Sequence, residues 1–372
     1  MLDEKTYFEI VAEIKGIKYE SCFKQNLKEY NFNRFSINTC PASCAVNIEQ
    51  SKFALSKWVS PKRTRSYPFE RVYNTLSFAK KITVIPIIKD EGEKGDRDFI
   101  QWDTISLMSL LDVYVILAYY DAAEVNPRLS GKITNQLFNN KFVKTKIKEI
   151  SNYHSSALHW NLEQIKTNLS AIVDKTIKAY KKISNKTGIK MHNARGVDNF
   201  KDDLKEDVNN FMNTSRTKAK GAQHREILTI QPKEVLATLT KAKMTIKNYL
   251  GGYYYLTTDE IKVEKGNMYL IEGKHSMNQL LPSISDIKDG LLKMILYCNL
   301  SSVFLNEVEY SITPVLSLTS IHLKSSIISN NRKVNIKDFI SQNSLSVNQV
   351  ELINILMNES RKNNFVLQIN QA

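Results

Sequence analysis

The sequence predicts a mixed α/β (α+β) protein, and three observations predict it. Strand-like and helix-like patterns alternate through residues 1–150. A polar stretch rich in Lys and Asn and poor in Gly and Pro, residues 151–234, then reads as helical. From residue 235 to the end, 235–372, a regular order of helix, hairpin, helix and strands returns. These three stretches are the expected domains: an N-terminal α/β domain, a basic helical middle region, and a C-terminal domain.

In the first stretch, Ile82–Ile88 is strand-like, Asp103 can cap the helix Thr104–Leu111, and Val113–Tyr120 is a β-branched and aromatic strand. The run Thr104–Tyr120 is the most apolar in the chain. Asp112 interrupts it, and it falls short of the ~20 residues that span a bilayer. Met1-Leu2-Asp3-Glu4-Lys5 lacks the basic start and apolar run of a signal peptide, which implies a cytoplasmic location. The middle stretch carries a long helix, Ser155–Lys186. Beyond it Arg216-Thr217-Lys218-Ala219-Lys220-Gly221 has no apolar residue larger than alanine and reads as an exposed loop or flexible arm.

Charge narrows the class of partner. The 372 residues hold 52 Lys and Arg against 38 Asp and Glu, a formal net charge of +14. Roughly +9 of it falls in residues 151–250. A concentrated excess of this kind suits a polyanion. Arg216, Lys218 and Lys220, and the cation-, proline- and aromatic-rich loop with Lys62, Arg63 and Arg65, are the candidate nucleic-acid contacts. The four cysteines, Cys22, Cys40, Cys44 and Cys298, complete no tetrahedral zinc set and read as reduced thiols. His154 and His159 are five apart, which misses helical metal-pair spacing, and no GxxxxGK[ST] loop is present, which argues against ATP-driven translocation.

In the last stretch Val235–Leu250 reads as a helix stopped by Gly251-Gly252, and Tyr253–Leu256 begins a strand region. Ile261–Glu264 and Met268–Lys274 form a hairpin around Lys265-Gly266-Asn267. Glu272 and Lys274 are two apart on one strand and share a face; pairing across the hairpin brings Asp259 near Glu272. Two carboxylates and an ammonium at one end of a hairpin suit phosphodiester hydrolysis. Carboxylates bind a hard divalent cation, and a lysine offsets charge developing on phosphorus. The other reading of the same residues is a half-exposed strand carrying a solvated ion pair. Ser283–Leu300 follows as an amphipathic helix with Ile287, Leu291, Met294, Ile295 and Cys298 along one stripe, then strands Val303–Asn306 and Tyr310–Thr319. The tail reads as helices Ile336–Gln342 and Ser346–Ser360 and strand Phe365–Ile369, part of a winged-helix unit or a helical dimerisation or core-covering element.

Asp259, then Glu272-Gly273-Lys274 at the end of a hairpin, then an amphipathic helix, resembles the PD-(D/E)XK nuclease superfamily, and within it the type II restriction endonucleases. Thr258 stands where the family pattern has proline, and the upstream helical glutamate of many members is not identifiable, with Glu226 and Glu234 as candidates. The resemblance implies a restriction-endonuclease-like core over roughly residues 235–320. It implies Mg²⁺ held by Asp259 and Glu272, Lys274 beside the attacking water, double-stranded DNA as substrate, a homodimer, and a cognate DNA methyltransferase. A non-catalytic nucleic-acid-binding protein, or a nuclease for branched or single-stranded nucleic acid, fits the same charge pattern.

Overall fold

The computed structural model describes residues 8–23, 26–63, 67–193, 195–206, 208–228, 241–248, 252–330 and 336–372. The chain divides into two compact units, one of residues 1–24 and 219–372 and the other of residues 25–218. Both mix helix and strand, which is the α/β class expected. No helix among the described residues is long and apolar enough to cross a membrane.

In chain order the first strand is β1 (Phe8–Ile14). The second unit then runs β2 (Glu29–Asn31), β3 (Ser43–Ile48), β4 (Ser51–Lys57), α1 (Pro68–Tyr73), β5 (Lys80–Pro86), β6 (Ile88–Asp90), β7 (Arg97–Phe99), α2 (Trp102–Leu110), β8 (Val113–Ala118), β9 (Tyr120–Val125) and β10 (Ile133–Phe138). It continues as helices α3 (Asn140–Ser151), α4 (Ala157–Glu163), α5 (Leu169–Thr187), α6 (Arg195–Glu206) and the first half of α7 (Val208–Leu228), whose residues from 219 on belong to the other unit. Its main sheet has the order β2-β3-β4-β5-β8, with β4, β5 and β8 parallel. Every residue of β8 is buried, as a strand covered on both faces should be.

Three sequence expectations change here. The N-cap of α2 is Gln101; Asp103 lies in the first turn, buried, with its carboxylate against Arg63 (3.1 Å) and the Thr104 N–H (2.9 Å). The long helix is interrupted by a π turn, Gln164–Asn168, between α4 and α5. Residues 216–221 are neither loop nor arm: they lie inside α7, where Ala219 is fully buried. Lys, Ala and Arg are good helix formers, and that preference outweighs the lack of large apolar side chains.

The other unit continues as β11 (Ala242–Asn248), β12 (Tyr253–Thr258), β13 (Glu260–Glu264), β14 (Asn267–Ser276), α8 (Ile284–Tyr297), β15 (Leu300–Leu305), β16 (Val308–Glu309), β17 (Ser311–Ser320), β18 (Ile327–Ile328), α9 (Ile336–Gln342), α10 (Val347–Asn363) and β19 (Val366–Gln371). The helix expected over Val235–Leu250 is overturned where it is described: residues 242–248 are a strand, parallel to β1 and antiparallel to β12. Ala242, Met244, Ile246 and Asn248 are buried on one face, and of the residues between them only Thr245 is buried, which is close to the period of a strand. One sheet of this unit is β12-β11-β1-β15-β16 and the other is β13-β14-β17-β19-β18. In the second sheet β14, β17 and β19 are parallel, and hairpin β13 adds to one edge antiparallel. Two parallel neighbours need a crossover, and α8 packs on both β14 and β17. Ser283 caps α8 through the Asp286 N–H, and Ser346 with Gln349 forms a capping box on α10. The tail is thus a covering element: α10 packs on β19, which is a strand of the sheet itself.

Candidate active site

Strand β14 decides where the charges go. Met268, Leu270 and Glu272 are buried in alternation, whereas Tyr269 and Ile271 on the other face are only half-buried. Glu272 therefore occupies an inward position of a strand whose other inward residues are apolar. The hairpin turn places Lys265 and Gly266 at positive φ (48° and 78°), as a tight two-residue connection between twisted strands demands. Glu260 pairs with Ile271, so Asp259 stands beside Glu272 at the next step of the register. The Asp259 Oδ2 accepts the Gly273 N–H at 2.9 Å, which ties the aspartate to the middle residue of Glu272-Gly273-Lys274.

Two ammonium groups grip Glu272. The Lys274 Nζ is 2.9 Å from Oε1 and the Lys293 Nζ is 2.7 Å from Oε2. Lys293 also reaches the Thr257 carbonyl at 3.4 Å. The Lys274 approach is an ion pair without hydrogen-bond geometry, so the buried Oε1 keeps its lone pairs. Nearby, the Thr258 and Tyr297 hydroxyls are buried with no hydrogen-bond partner among the described residues. Burial works to raise the Glu272 pKa, yet the Lys274 and Lys293 charges hold it below the ordinary value. Asp259 has no such clamp. Burial, and then the Glu272 charge, push it up to about 6 against the pull of Lys293, Lys274 and the Gly273 N–H. Lys274 and Lys293 are both raised: the carboxylates outweigh burial, and both stay ammonium ions at neutral pH.

The sequence reasoning found Asp259, Glu272 and Lys274 and missed Lys293 and Gly290. Lys293 is the lone charge in Leu291-Leu292-Lys293-Met294-Ile295-Leu296-Tyr297, whose other six residues are all buried. A charge inside such a run is itself a signal, because an unpartnered one would be costly. Gly290 makes room for the lysine of the strand. A Cβ there would lie 2.8 Å from the Leu316 Cδ1 and 3.2 Å from the Lys274 Cε.

Glu272 is buried and Asp259 is half-buried beside it, two oxygen-donor side chains of the kind that a hard divalent cation takes, so they could serve as ligands of a Mg²⁺ ion that competes with Lys274 and Lys293 for Glu272. Among the described residues no group of three or more His, Cys, Asp or Glu side chains is placed to hold a metal. The candidates for an upstream glutamate, the Glu226 side chain and Glu234, lie outside the described residues. His275 contacts Thr319 (2.9 Å) and Met277 (3.1 Å), a structural role on the strand.

The other predicted contacts are scattered. Lys62 is exposed and Arg65 lies outside the described residues. Arg63 is engaged by Asp103. Arg216 bonds Asn213 within its own helix at 3.1 Å; Lys218 and Lys220 are exposed, with the Lys220 Nζ 5.9 Å from the Tyr255 ring centroid. The four cysteines are free thiols. Compared with protein-family models, with curated proteins and with solved structures, the chain matches none.

Proposed function

We propose that this protein is a Mg²⁺-dependent endonuclease of the PD-(D/E)XK type that hydrolyses phosphodiester bonds in double-stranded DNA, acting as a type II restriction enzyme. One observation carries the reading: a fully buried Glu272 sits at the end of an otherwise apolar strand face, flanked by Asp259 across the hairpin and Lys274 two residues on. Burying Glu272 costs several kcal/mol before pairing with the half-buried Lys274 and Lys293 returns it, and an apolar residue would serve stability as well. Clusters of this kind concentrate at sites of chemistry.

Asp259 and Glu272 would hold the ion. Once bound, Mg²⁺ supplies Lewis-acid polarisation of the scissile phosphate and acidifies water. The chain's own part is electrostatic. Lys274, held cationic by the carboxylates, offsets negative charge accumulating on the phosphoryl oxygens and orients the attacking water; it is not a proton acceptor. Lys293, fixed to Oε2 from α8, aims the Glu272 carboxylate and acts through it. On this reading two copies of the chain cut the two strands, and a partner methyltransferase protects the host's own sites.

Plasmid cutting with Mg²⁺ by the wild type, Glu272→Ala and Lys274→Ala tests this. The expected result is nicking and linearisation by the wild type and a loss of at least a hundredfold in both variants, the scale of removing an essential electrostatic group. Two variants that cut like the wild type would sink the site assignment. The non-catalytic reading rests on the lysine ammonium paired with each Glu272 oxygen, which neutralises the carboxylate without a metal, and it predicts DNA retention with no cutting at any metal concentration.

A further inference from the structure

We infer that the exposed lysine faces of α3 and α5 form one docking surface for the phosphate backbone of double-stranded DNA. The inference rests on the nuclease reading for the identity of its partner, and on the second unit alone for its geometry. None of the nucleic-acid contacts suggested by the loop 62–65 or by residues 216–220 belongs to it.

Helix α3 carries Lys141, Lys144, Lys146 and Lys148 against a single acid, Glu149. Helix α5 carries Lys175, Lys178, Lys181, Lys182 and Lys186 against a single acid, Asp174. Both acids are already occupied, Glu149 by Lys146 at 2.7 Å and Asp174 by Lys201. The solvent-facing charge of the two helices is therefore predominantly positive, nine lysines against two paired acids. All five lysines of α5 are exposed, as are Lys141 and Lys148.

Spacing turns these lysines into a surface. Lys175, Lys178, Lys182 and Lys186 follow one another at three, four and four residues, which aligns them on one side of α5. The opposite side carries Ile172, Val173, Thr176, Tyr180 and Ile183 into the core. The Lys175 Nζ lies 5.2 Å from the centroid of the Phe142 ring on α3, and the Lys146 Nζ lies 6.0 Å from the same ring. The two lysine faces thus meet around Phe142. At 1.5 Å per residue the stripe from Lys175 to Lys186 is about 16 Å long. One DNA strand presents a phosphate about every 3.4 Å of axis, so the stripe parallels about five of them. Balancing the dipole at the C-terminus of α5 accounts for a lysine or two in its last turn, not for five along its length.

The test is equilibrium binding of the full chain to a 30-base-pair duplex in EDTA, read by fluorescence anisotropy across a salt series. The patch variant is Lys178→Gln with Lys182→Gln and Lys186→Gln. Glutamine keeps helix propensity, so the fold is not the variable. The control removes equal charge elsewhere in the same unit, Lys94→Gln with Arg128→Gln and Lys132→Gln. Each phosphate contact contributes about 0.9 to the slope of log affinity against log salt. The expected result for the patch variant is a slope smaller by about 2–3 and an affinity at 0.1 M salt lower by about fiftyfold or more, with the control near the wild type. Equal losses in both variants would reduce the effect to net charge and overturn the inference. So would an unchanged patch variant, a wild type that binds no duplex, or tighter binding of a duplex RNA of the same length. Cutting is scored separately. Glu272-dependent cutting with patch-independent binding removes this inference and leaves the nuclease. Patch-dependent binding without any cutting does the reverse.

Discussion

Lys293→Met is the perturbation that weighs the charge cluster most directly. Methionine keeps an unbranched apolar stem in the space of the lysine and removes the ammonium 2.7 Å from the Glu272 Oε2. The loss is bounded on two sides. Breaking a buried pair by deleting one partner costs about 3–5 kcal/mol. The metal-free protein can limit that cost by protonating Glu272. An ordinary glutamate titrates near 4.5, so protonation at pH 7 costs about 3 kcal/mol. The lower bound wins, and a deficit of about 3 kcal/mol is expected at pH 7. For a unit of this size that lowers the thermal midpoint by about 6–12 °C. The depressed Glu272 pKa of the wild type contributes stability that is present above about 4.5 and is lost only as pH falls through the lower folded value. In the variant, Glu272 without Lys293 escapes its penalty by protonating, which becomes cheaper as pH falls, so the deficit should shrink as the pH approaches 4.5 from above. Melting of the full chain in EDTA, then in millimolar Mg²⁺, measures both quantities. Mg²⁺ should raise the variant's midpoint by more than the wild type's, because the cation replaces the missing charge. An unchanged midpoint in EDTA refutes the pairing, and a deficit that Mg²⁺ leaves untouched refutes the metal site.

Two further variants separate the roles of the remaining groups. Asp259→Asn should stabilise the metal-free protein at pH 8 by up to about 3 kcal/mol, because the folded pKa of about 6 exceeds the ordinary 3.8 and ionisation opposes folding above it; the gain should vanish by pH 4, and denaturant titrations at the two pH values read it. In Mg²⁺ the same variant should lose the metal-dependent rise in midpoint, and a variant stabilised equally by Mg²⁺ would remove Asp259 from the ligand set. Gly290→Ala gains about 1 kcal/mol of helix propensity and meets Leu316 and Lys274 at 2.8 and 3.2 Å. Its stability should stay within about 1 kcal/mol of the wild type while plasmid cutting falls about tenfold or more, and unchanged cutting would mean that the position of Lys274 does not matter.

The hairpin was legible because its signals were local. Lys265-Gly266 supplied the turn, apolar and charged residues alternated on β13, and a two-residue spacing put Glu272 and Lys274 on one face. The strand β11 was misread although its signal was just as local: Ala242, Met244, Ile246 and Asn248 alternate with Lys243, Thr245 and Lys247. The pairing of β11 with β1, more than two hundred residues away, left no mark that a sequence window could contain. Helix α7 failed for another reason. Residues 216–221 lack large apolar groups and so resemble a loop, while Ser215, whose Oγ accepts the Trp102 N–H at 2.5 Å, and the buried Ala219 fix the helix through small side chains.

The rule that selected Glu272 also applies to Lys293, and its second use explains the first. A carboxylate at the end of an apolar strand face is expensive alone, and Lys274 pairs with only one of its oxygens. The helix that crosses from β14 toward β17 brings a second ammonium to the other, Oε2. That helix is otherwise apolar in the same two turns, and it carries a glycine where Lys274 needs space. Three departures from an ordinary buried helix and strand, Glu272, Lys293 and Gly290, thus fall at one point of the sheet. Each alone has a structural explanation in the other two; together they need a reason for charge to be there at all. Asp259 adds to the cost, since burial and the Glu272 charge raise its pKa to about 6 against the pull of Lys293, Lys274 and the Gly273 N–H. Stability alone gives no use for that carboxylate, whereas the proposed nuclease reading would use it as an oxygen ligand of a divalent cation.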